Sequence, residues 1–481
     1  MHVNAPLPKD PAKVPSAKPQ LPPGPRLNPL SFLLFGPPQD ILGFYTEVAR
    51  DFGDLVRFPM GPWSWYAVFH PTPIQHVLQD HCHNYTKKNR FNDLIKPLTG
   101  EGLATSDGDL WRRHRRLLQP AFHRQRLAEL ATVTTNTTAL MLEQWRHEAK
   151  NAEPFDVRLA MQRLTLNIVG RTLFSQDISA ESDAIGRSLT TVFEYFNYRT
   201  RHVFALPERI PTRRNRRLRQ AIRTFDTVVY RMIEERRSRG TDAHDLLSML
   251  LLARDEVSGD GLSDKALRDE VGTFIGAGHE TTATALAWTW YVLSKHPDVG
   301  HRLRAELADV LGGRLPTLED LPHLTYTKMV LQEVMRLYPP IWAMLRSTIE
   351  DDTIGGYAIP ANSLVVLCPY VTHRHPLFWD NPEEFDPERF TPERSAKRPR
   401  YAYLPFGGGP RQCIGHEFAM MEMQLIIAMV AQQYQLDLVP GYPVEPDPIF
   451  TLRPKKQVLM TVRSVSAPSG RTTKTAPPYM K

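Results

Sequence analysis

The residues able to do chemistry fall into three short groups. The densest is Phe406-Gly407-Gly408-Gly409-Pro410-Arg411-Gln412-Cys413-Ile414-Gly415, where a lone cysteine follows a glycine-rich loop and opens a helix. Glycines reach backbone angles closed to other residues and let something bulky approach the main chain. A helix start stabilises negative charge, so a thiolate is favoured there and its pKa is expected to fall. With an arginine two residues earlier, such a thiolate suits ligation of a metal whose cofactor carries anionic groups. A phosphate loop and an inert buried cysteine are the alternatives the residues leave open. The loop lacks both the Gly-Lys-Ser/Thr ending of a P-loop and a full dinucleotide fingerprint.

The second group, Ala277-Gly278-His279-Glu280-Thr281-Thr282, interrupts an otherwise apolar helical stretch. A mid-helix glycine costs roughly 1 kcal/mol relative to alanine, which makes sense where something flat lies against the helix. An acid beside an alcohol offers a proton relay to a bound oxygen species. The competing reading is a packing kink in which a threonine bonds back to the preceding turn. In the third group, Glu333-Val334-Met335-Arg336, acid and base share one helix face at i and i+3. That spacing alone says little, since Glu234-Glu235-Arg236-Arg237 repeats it. Its position before Pro339-Pro340 and upstream of Pro387-Glu388-Arg389-Phe390 points to a buried Glu–Arg–Arg network bracing the loop of Cys413.

These groups need elements to hold them. Helical periodicity dominates from Asp109 to about Lys295, with arginine-rich amphipathic stretches around 110–130 and 213–237. The longest helix is predicted to start near Ser263 and to stop before Pro297; at about 1.5 Å per residue it spans roughly 50 Å. Another runs from Thr325, a candidate N-cap, to Tyr338, and a last one follows Cys413. Strand-like runs occupy Asp54–Phe58 and Trp65–Phe69, joined by the turn signal Met60-Gly61-Pro62, and Tyr357–Ile359 and Leu364–Leu367. A proline-studded coil fills His375 to Pro405. With no internal linker or repeat, residues 40–463 are expected to form one domain, mainly α with small β-sheets.

A chain of 481 residues that is 42% hydrophobic, with 8 Trp, 16 Tyr and 21 Phe, is neither a stapled mini-protein nor intrinsically disordered. Its mean hydropathy of −0.36 excludes a polytopic membrane protein. Cys82, Cys368 and Cys413 make no disulfide framework and no zinc spacing, which fits a reducing compartment. Residues 1–39 hold 11 prolines and no apolar run near the roughly 18 residues of a membrane span. Lys9, Asp10, Lys13 and Lys18 interrupt any signal sequence. We therefore expect a flexible proline-rich arm over 1–39, a disordered tail over 464–481, no transmembrane anchor and a cytoplasmic location. The net charge of +7 predicts a surface attractive to an acidic partner.

In their order and spacing the three groups, together with Pro387-Glu388-Arg389-Phe390, resemble the motifs of the cytochrome P-450 superfamily of haem-thiolate monooxygenases, soluble bacterial type. The resemblance covers roughly residues 40–463. It implies a single-domain fold with a long central helix over the haem and an α-rich body beside a β-rich lobe. It also implies haem b as cofactor, with Cys413 the axial ligand to iron, Phe406 shielding the sulfur and Arg411 reaching a propionate. Trp111, Arg115 and Arg346 match further propionate-binding positions, with His114 a competitor for Arg115, and Ala277 belongs to the stretch beside the cofactor. Glu280 and Thr281 fill the family's catalytic acid–alcohol pair, and Glu333, Arg336 and Arg389 its structural triad.

The implied reaction uses O2 to hydroxylate or epoxidise an apolar small molecule: a fatty acid, terpenoid or carotenoid. Thiolate donation favours O–O cleavage. With no flavin or iron–sulfur segment after residue 463, electrons are expected from an acidic ferredoxin or flavodoxin with its NAD(P)H reductase. Arg112, Arg113, Arg116, Arg124 and Arg126 would steer it; a solvated basic face is the plainer alternative. The same choice applies to Arg213–Arg219, which could instead touch lipid or a carboxylate. The segment Leu21-Pro22-Pro23-Gly24-Pro25-Arg26 resembles the hinge after the anchor of membrane-bound relatives, without the anchor. Candidate pocket residues are Phe91, Leu94, Phe193, Phe196, Tyr198, Phe274, Ile341, Trp342 and Met344. A haem-binding sensor or electron carrier is the alternative. Nucleic acid is not an expected partner, because aromatic platforms are not interleaved with the basic runs.

Overall fold

The computed structural model describes residues 20–26, 38–60, 63–151, 153–202, 205–240, 245–254, 259 and 261–465. Its longer helices are α1 (Ile41–Phe52), α2 (Gly108–Leu118), α3 (Arg124–Asn151), α4 (Val157–Leu173), α5 (Ser182–Arg201), α6 (Arg213–Arg239), α7 (Leu246–Leu252), α8 (Asp264–Lys295), α9 (Pro297–Leu311), α10 (Thr325–Leu337) and α11 (His416–Gln433). Helix α8 is the 32-residue axis. The Ser263 hydroxyl accepts the Ala266 N–H at its start, and Pro297 opens α9 just past its end, as the sequence signals require. Its side chains are buried nearly all round from Leu267 to Val292, so it carries no polar face to orient it. Small residues let its neighbours close in. A Cβ on Gly278 would lie 2.9 Å from Val169 of α4, and one on Gly272 would lie 2.7 Å from the Leu98 carbonyl. Gly278 therefore admits a neighbouring helix, a different use from the flat ligand that its sequence context suggests.

Helix α10 ends at Leu337, before the double proline. Thr325 is its first residue, not its N-cap. The orphan N–H groups of Tyr326 and Thr327 are accepted by the Glu306 carboxylate of α9 at 2.5 and 2.9 Å. A charged acceptor from a neighbouring helix replaces the local hydroxyl.

Four small sheets make up the β lobe. The largest is built from β1 (Leu55–Met60), β2 (Trp63–Val68), β3 (Tyr85–Thr86), β5 (Met344–Thr348) and β8 (Leu364–Leu367), in the order β1-β2-β8-β5-β3. The others pair β6 (Asp352–Ile354) with β7 (Tyr357–Ile359), β10 (Pro446–Pro448) with β11 (Leu452–Pro454), and β12 (Leu459–Ser464) with β4 (Phe155–Asp156) and β9 (Tyr434–Leu438). The turn expected at Gly61-Pro62 lies outside the described residues, as do residues 1–19, 27–37 and 466–481. Part of the proline-rich arm is held down, where a flexible segment was expected. The Pro23 carbonyl accepts the Arg57 N–H at 2.8 Å, Gln20 pairs with Tyr357, and Gly24 sits so close to β1 that a Cβ would meet the Arg57 carbonyl at 1.8 Å.

The Glu–Arg–Arg network forms, fully buried. Arg336 grips Glu333 with two hydrogen bonds of 2.7 and 2.8 Å, and Arg389 Nε reaches Glu333 at 3.2 Å. The remaining arginine donors go to carbonyls of the proline-studded coil: His373, Pro382 and Glu384 for Arg336, Asp380 and Asn381 for Arg389. His373 relays this order to the next loop. Its Nδ1 meets the Arg336 carbonyl at 3.3 Å and its Nε2 accepts the Leu404 N–H at 2.9 Å. That arrangement needs a neutral ring.

Burial, with help from the Arg336 and Arg374 cations, pushes the His373 pKa down to about 3. Burial likewise pushes His279 down to about 4. In the unfolded chain both bind a proton near pH 6.5. Their share of stability is complete above that pH and is lost as pH falls from there towards 3–4, at about 1.4 kcal/mol per pH unit for each ring. Urea unfolding midpoints between pH 7 and 5 are expected to show this slope, and His373→Asn to reduce it by about one proton. An unchanged slope in that variant would mean that His373 titrates normally.

Candidate active site

The loop before Cys413 is built from its three glycines. Gly407 and Gly409 have φ of +70° and +64°, a region hostile to side chains. A Cβ on Gly408 would lie 2.3 Å from the Tyr401 ring, and one on Gly409 would lie 1.8 Å from the Leu78 carbonyl. The loop closes through the Cys413 N–H, which donates to the Phe406 carbonyl at 2.9 Å. Phe406 itself is half-buried against the apolar core. Cys413 precedes α11 by three residues, so the helix start is too distant to govern its acidity. The direction is the reverse of the expected one. Burial pushes the thiol above its ordinary range, opposed by the Gly415 N–H and by the Arg115 and Lys87 cations. Of the three cysteines only Cys413 is exposed. It opens onto a half-open pocket of about 180 Å³ that is also lined by Arg115, Gln119, Phe122, His123, Ile414 and Glu417.

Four cations gather beside this cysteine. Arg115 of α2 donates to the Gln412 carbonyl at 2.9 Å, and Lys87 donates to the Ala104 carbonyl at 2.8 Å. Arg411 pairs with Asp107 and lies 4.3 Å from the half-buried Trp111 ring. Arg346, on β5, is buried and, among the described residues, donates only to its neighbour's carbonyl, Leu345. Asp107 is the carboxylate that Lys87, Arg346 and Arg411 share. It is already taken by the Thr86 hydroxyl, the Lys87 N–H and Arg411. Burial lowers the pKa of Lys87 well below its usual value, with Arg346 and Arg411 adding to the shift, and brings Arg346 down to about 10. Such a charge excess asks for an anion. His114 does not compete with Arg115: it is buried against Glu270 of α8, 2.6 Å away.

Phe122 links the cavity to α8 by stacking on Phe274, 5.5 Å between ring centres. Within the buried middle of α8, Ala277 and Thr281 are the open positions, one turn apart, with Gly278 beside them. The Thr281 hydroxyl donates to the Ala277 carbonyl at 2.7 Å, the back-bond offered as the alternative reading, and its lone pairs stay free. Glu280 does not join it. Adjacent helix positions point about 100° apart, and Glu280 is buried on the far side, bonded to Gln162 of α4 at 3.0 Å and to Thr451 at 3.3 Å. Burial pushes its carboxyl upward, against the Arg453 and Arg158 cations. The acid–alcohol pair expected to share a relay is therefore split between two faces.

The pocket residues divide similarly. Phe193 is buried in the core, stacked at 4.9 Å on Phe450, which Phe196 meets edge-on at 5.5 Å. Trp342 packs with Tyr45 against the large sheet and donates to the Ile449 carbonyl, so it belongs to the β lobe's core. Leu94 is buried; Phe91, beside Arg90, Ile341 and Met344 are half-buried, and the Met344 sulfur lies 3.5 Å from where a Gly407 Cβ would be. Tyr198 lies under Arg214 at 3.9 Å. Lys87, Asp107, Phe122 and Phe450 were missed from sequence. Only Asp107 carried a signal, an acid just ahead of the arginine-rich helix. Arg112 and Arg116 are exposed on α2, Arg126 contacts Met249, and the Arg124 side chain lies outside the described residues. In the 213–219 run, Asn215 and Leu218 are buried and Arg213, Arg214, Arg216 and Arg217 are exposed.

A family model, cytochrome P450, matches residues 22–462. The chain is 38% identical to cyclooctatin synthase of Streptomyces melanosporofaciens, with 83% of this chain and 86% of that one covered. It is 34% identical to pentalenene oxygenase of Streptomyces avermitilis, covering 83% and 88%. Its fold is similar to the crystal structure of the cytochrome P450DA heme domain, with a TM-score of 0.82 and 27% identity over 92% of this chain and 98% of that one.

The two left-handed glycines separate backbone strain from collision. Gly407→Ala meets only the strain, since its nearest neighbour is 3.5 Å away, whereas Gly409→Ala also strikes the Leu78 carbonyl. Both are expected to destabilise, and Gly409→Ala by more than about 1 kcal/mol beyond Gly407→Ala. Urea midpoints of the two variants check this; equal losses would refute the close approach.

Proposed function

Since the chain belongs to the cytochrome P450 family of monooxygenases, we propose that it inserts one oxygen atom from O2 into a cyclic terpenoid hydrocarbon or its mono-alcohol. In this reading the electrons come from an acidic ferredoxin or flavodoxin. Proteins of the family bind haem through a cysteine thiolate, and the residues here fit that group. The observation that carries the reading is a cluster of cations beside the one exposed cysteine, three of them (Lys87, Arg346 and Arg411) sharing the single carboxylate of Asp107 and Arg115 next to the thiol. Lys87, Arg115, Arg346 and Arg411 would hold the two propionates, and Cys413 the iron. Bound there, haem supplies the activation of O2.

The chain's own groups do the rest. Arg115 and Lys87, the cations that oppose the rise in the Cys413 pKa, favour the thiolate. Thr281, its proton committed to the Ala277 carbonyl, presents free lone pairs to accept and hold a proton donor beside the open face of α8. Glu280 works from behind as a positioning residue, tying α8 to α4 and to Thr451. The terpenoid assignment rests on relatives named cyclooctat-9-en-7-ol 5-monooxygenase and pentalenene oxygenase. Aromatic groups near α8, among them Phe122 and Phe274, suit an apolar occupant. Arg112 and Arg116 share α2 with Arg115, which touches the loop of Cys413, so a partner docked there sits close to the electron acceptor. No described helix is long and apolar enough to cross a membrane.

The reduced protein with carbon monoxide is expected to show a strongly red-shifted Soret band that Cys413→Ser abolishes; persistence of the band would move the ligand elsewhere. Arg346→Leu removes a charged hydrogen-bond donor and is expected to release haem roughly 10- to 100-fold faster, measured by transfer to a haem acceptor. A panel of terpenoid alkenes, fatty acids and carotenoids titrated against the Soret band tests the substrate. A terpenoid is expected to shift it and to yield a product heavier by one oxygen, and a response to fatty acids alone would overturn the assignment. Thr281→Ala is expected to keep haem but divert electrons to peroxide; full coupling would refute the hydroxyl's role.

A further inference from the structure

On the side of the β lobe, His76, His81 and Asp352 bring metal-ligating atoms within 4.8 Å of one another. The cause is local and unusual. His76–Asp80 form a single π-helical turn, in which the His81 N–H donates to the His76 carbonyl at 2.8 Å. Five positions along an α-helix fall about 140° apart; the wider turn instead stacks the two imidazoles, 4.0 Å between centres and 18° from parallel. Such turns are rare and frequent at functional sites. Asp352, the first residue of β6, places Oδ2 2.9 Å from His76 Nε2. The Tyr85 hydroxyl donates to that oxygen at 2.7 Å, and the Thr353 N–H donates to Oδ1.

We propose that His76, His81 and Asp352 form a divalent transition-metal site of the zinc class, with water as the fourth ligand. Two imidazoles and a carboxylate are the borderline-to-hard donors such ions take. Ligand atoms around tetrahedral zinc stand about 3.3 Å apart. The 2.9 Å contact needs to open by only a few tenths of an ångström, while the His81 ring turns inward. A hydrogen-bonded His76–Asp352 pair accounts for two of the residues but not for His81. Among the described residues no ring nitrogen of His81 has a hydrogen-bond partner, although the backbone holds it against His76. The Tyr85 hydroxyl and the Thr353 N–H supply the outer bonds that orient a ligating carboxylate. An ion has access, because the three residues border a surface cavity of about 530 Å³ together with Asp351, Thr353 and Pro360.

The test is calorimetric titration of the haem-loaded protein with Zn2+. One equivalent is expected to bind, with His81→Ala and Asp352→Asn each weakening it at least tenfold and leaving the Soret spectrum unchanged. His81 is exposed and, among the described residues, its ring makes stacking contacts only, so its removal does not threaten folding. The chain has 17 histidines, and binding elsewhere is the competing outcome. Affinity unchanged in both variants, or no stoichiometric binding at millimolar Zn2+, overturns the site.

Discussion

A carboxylate with no access to water is the constraint on which the rest of this structure turns. Glu333 is fully buried, and so is Arg336, which grips it. Breaking such a pair by removing one partner costs on the order of 3–5 kcal/mol, because the other charge stays buried. The pair therefore holds both arginines fixed, and their spare donors hold the coil. The stretch from His373 to Glu384 has no sheet or helix to satisfy its carbonyls, and five of them are met by Arg336 and Arg389. From there His373 passes the register to Leu404, two residues before Phe406, whose carbonyl closes the loop on Cys413. A charge in the core thus fixes a sulfur in a loop.

The two buried ionic regions differ in where their donors go. Around Glu333 the arginine donors are taken by the carboxylate and by carbonyls of the coil. Around Cys413 the cations are left in excess, and the protein bears the cost as lowered pKa values at Lys87 and Arg346. Shifts of this kind beside a pocket mark a candidate ligand site. The same cations hold back the rise that burial imposes on the thiol. In the proposed reading, one cluster would both hold the anionic edge of the cofactor and favour the anionic sulfur.

What could be read from the sequence was whatever the chemistry of single residues dictates. Ser263 and Pro297 bound the central helix because one accepts an orphan N–H and the other cannot continue a helix. The glycines of the Cys413 loop and the members of the buried triad were legible because few other residue types could stand there. Rotational phase was not legible. Helix α8 is buried nearly all round, so no polar stripe announces that Thr281 faces open space while Glu280 faces α4. Lys87 is one of two adjacent lysines in a loop, made significant only when β5 and the loop of Cys413 arrive beside it. Glu306 caps α10 from another helix, a partnership with no local signature. Phe193 and Trp342 are aromatic residues near the right elements that pack into core, a choice made by tertiary contacts alone.

The docked proline segment has one more effect. Strand β1 is the outer edge of the five-stranded sheet, and its Arg57 N–H would otherwise be a free template for a strand from another molecule. Pro23 takes that N–H with its carbonyl and, lacking an N–H of its own, offers nothing for a further strand to pair with. The stretch that in sequence looks like a loose leader thus guards the sheet against edge-to-edge self-association. Shortening the chain past it would be felt in colloidal behaviour before it was felt in catalysis.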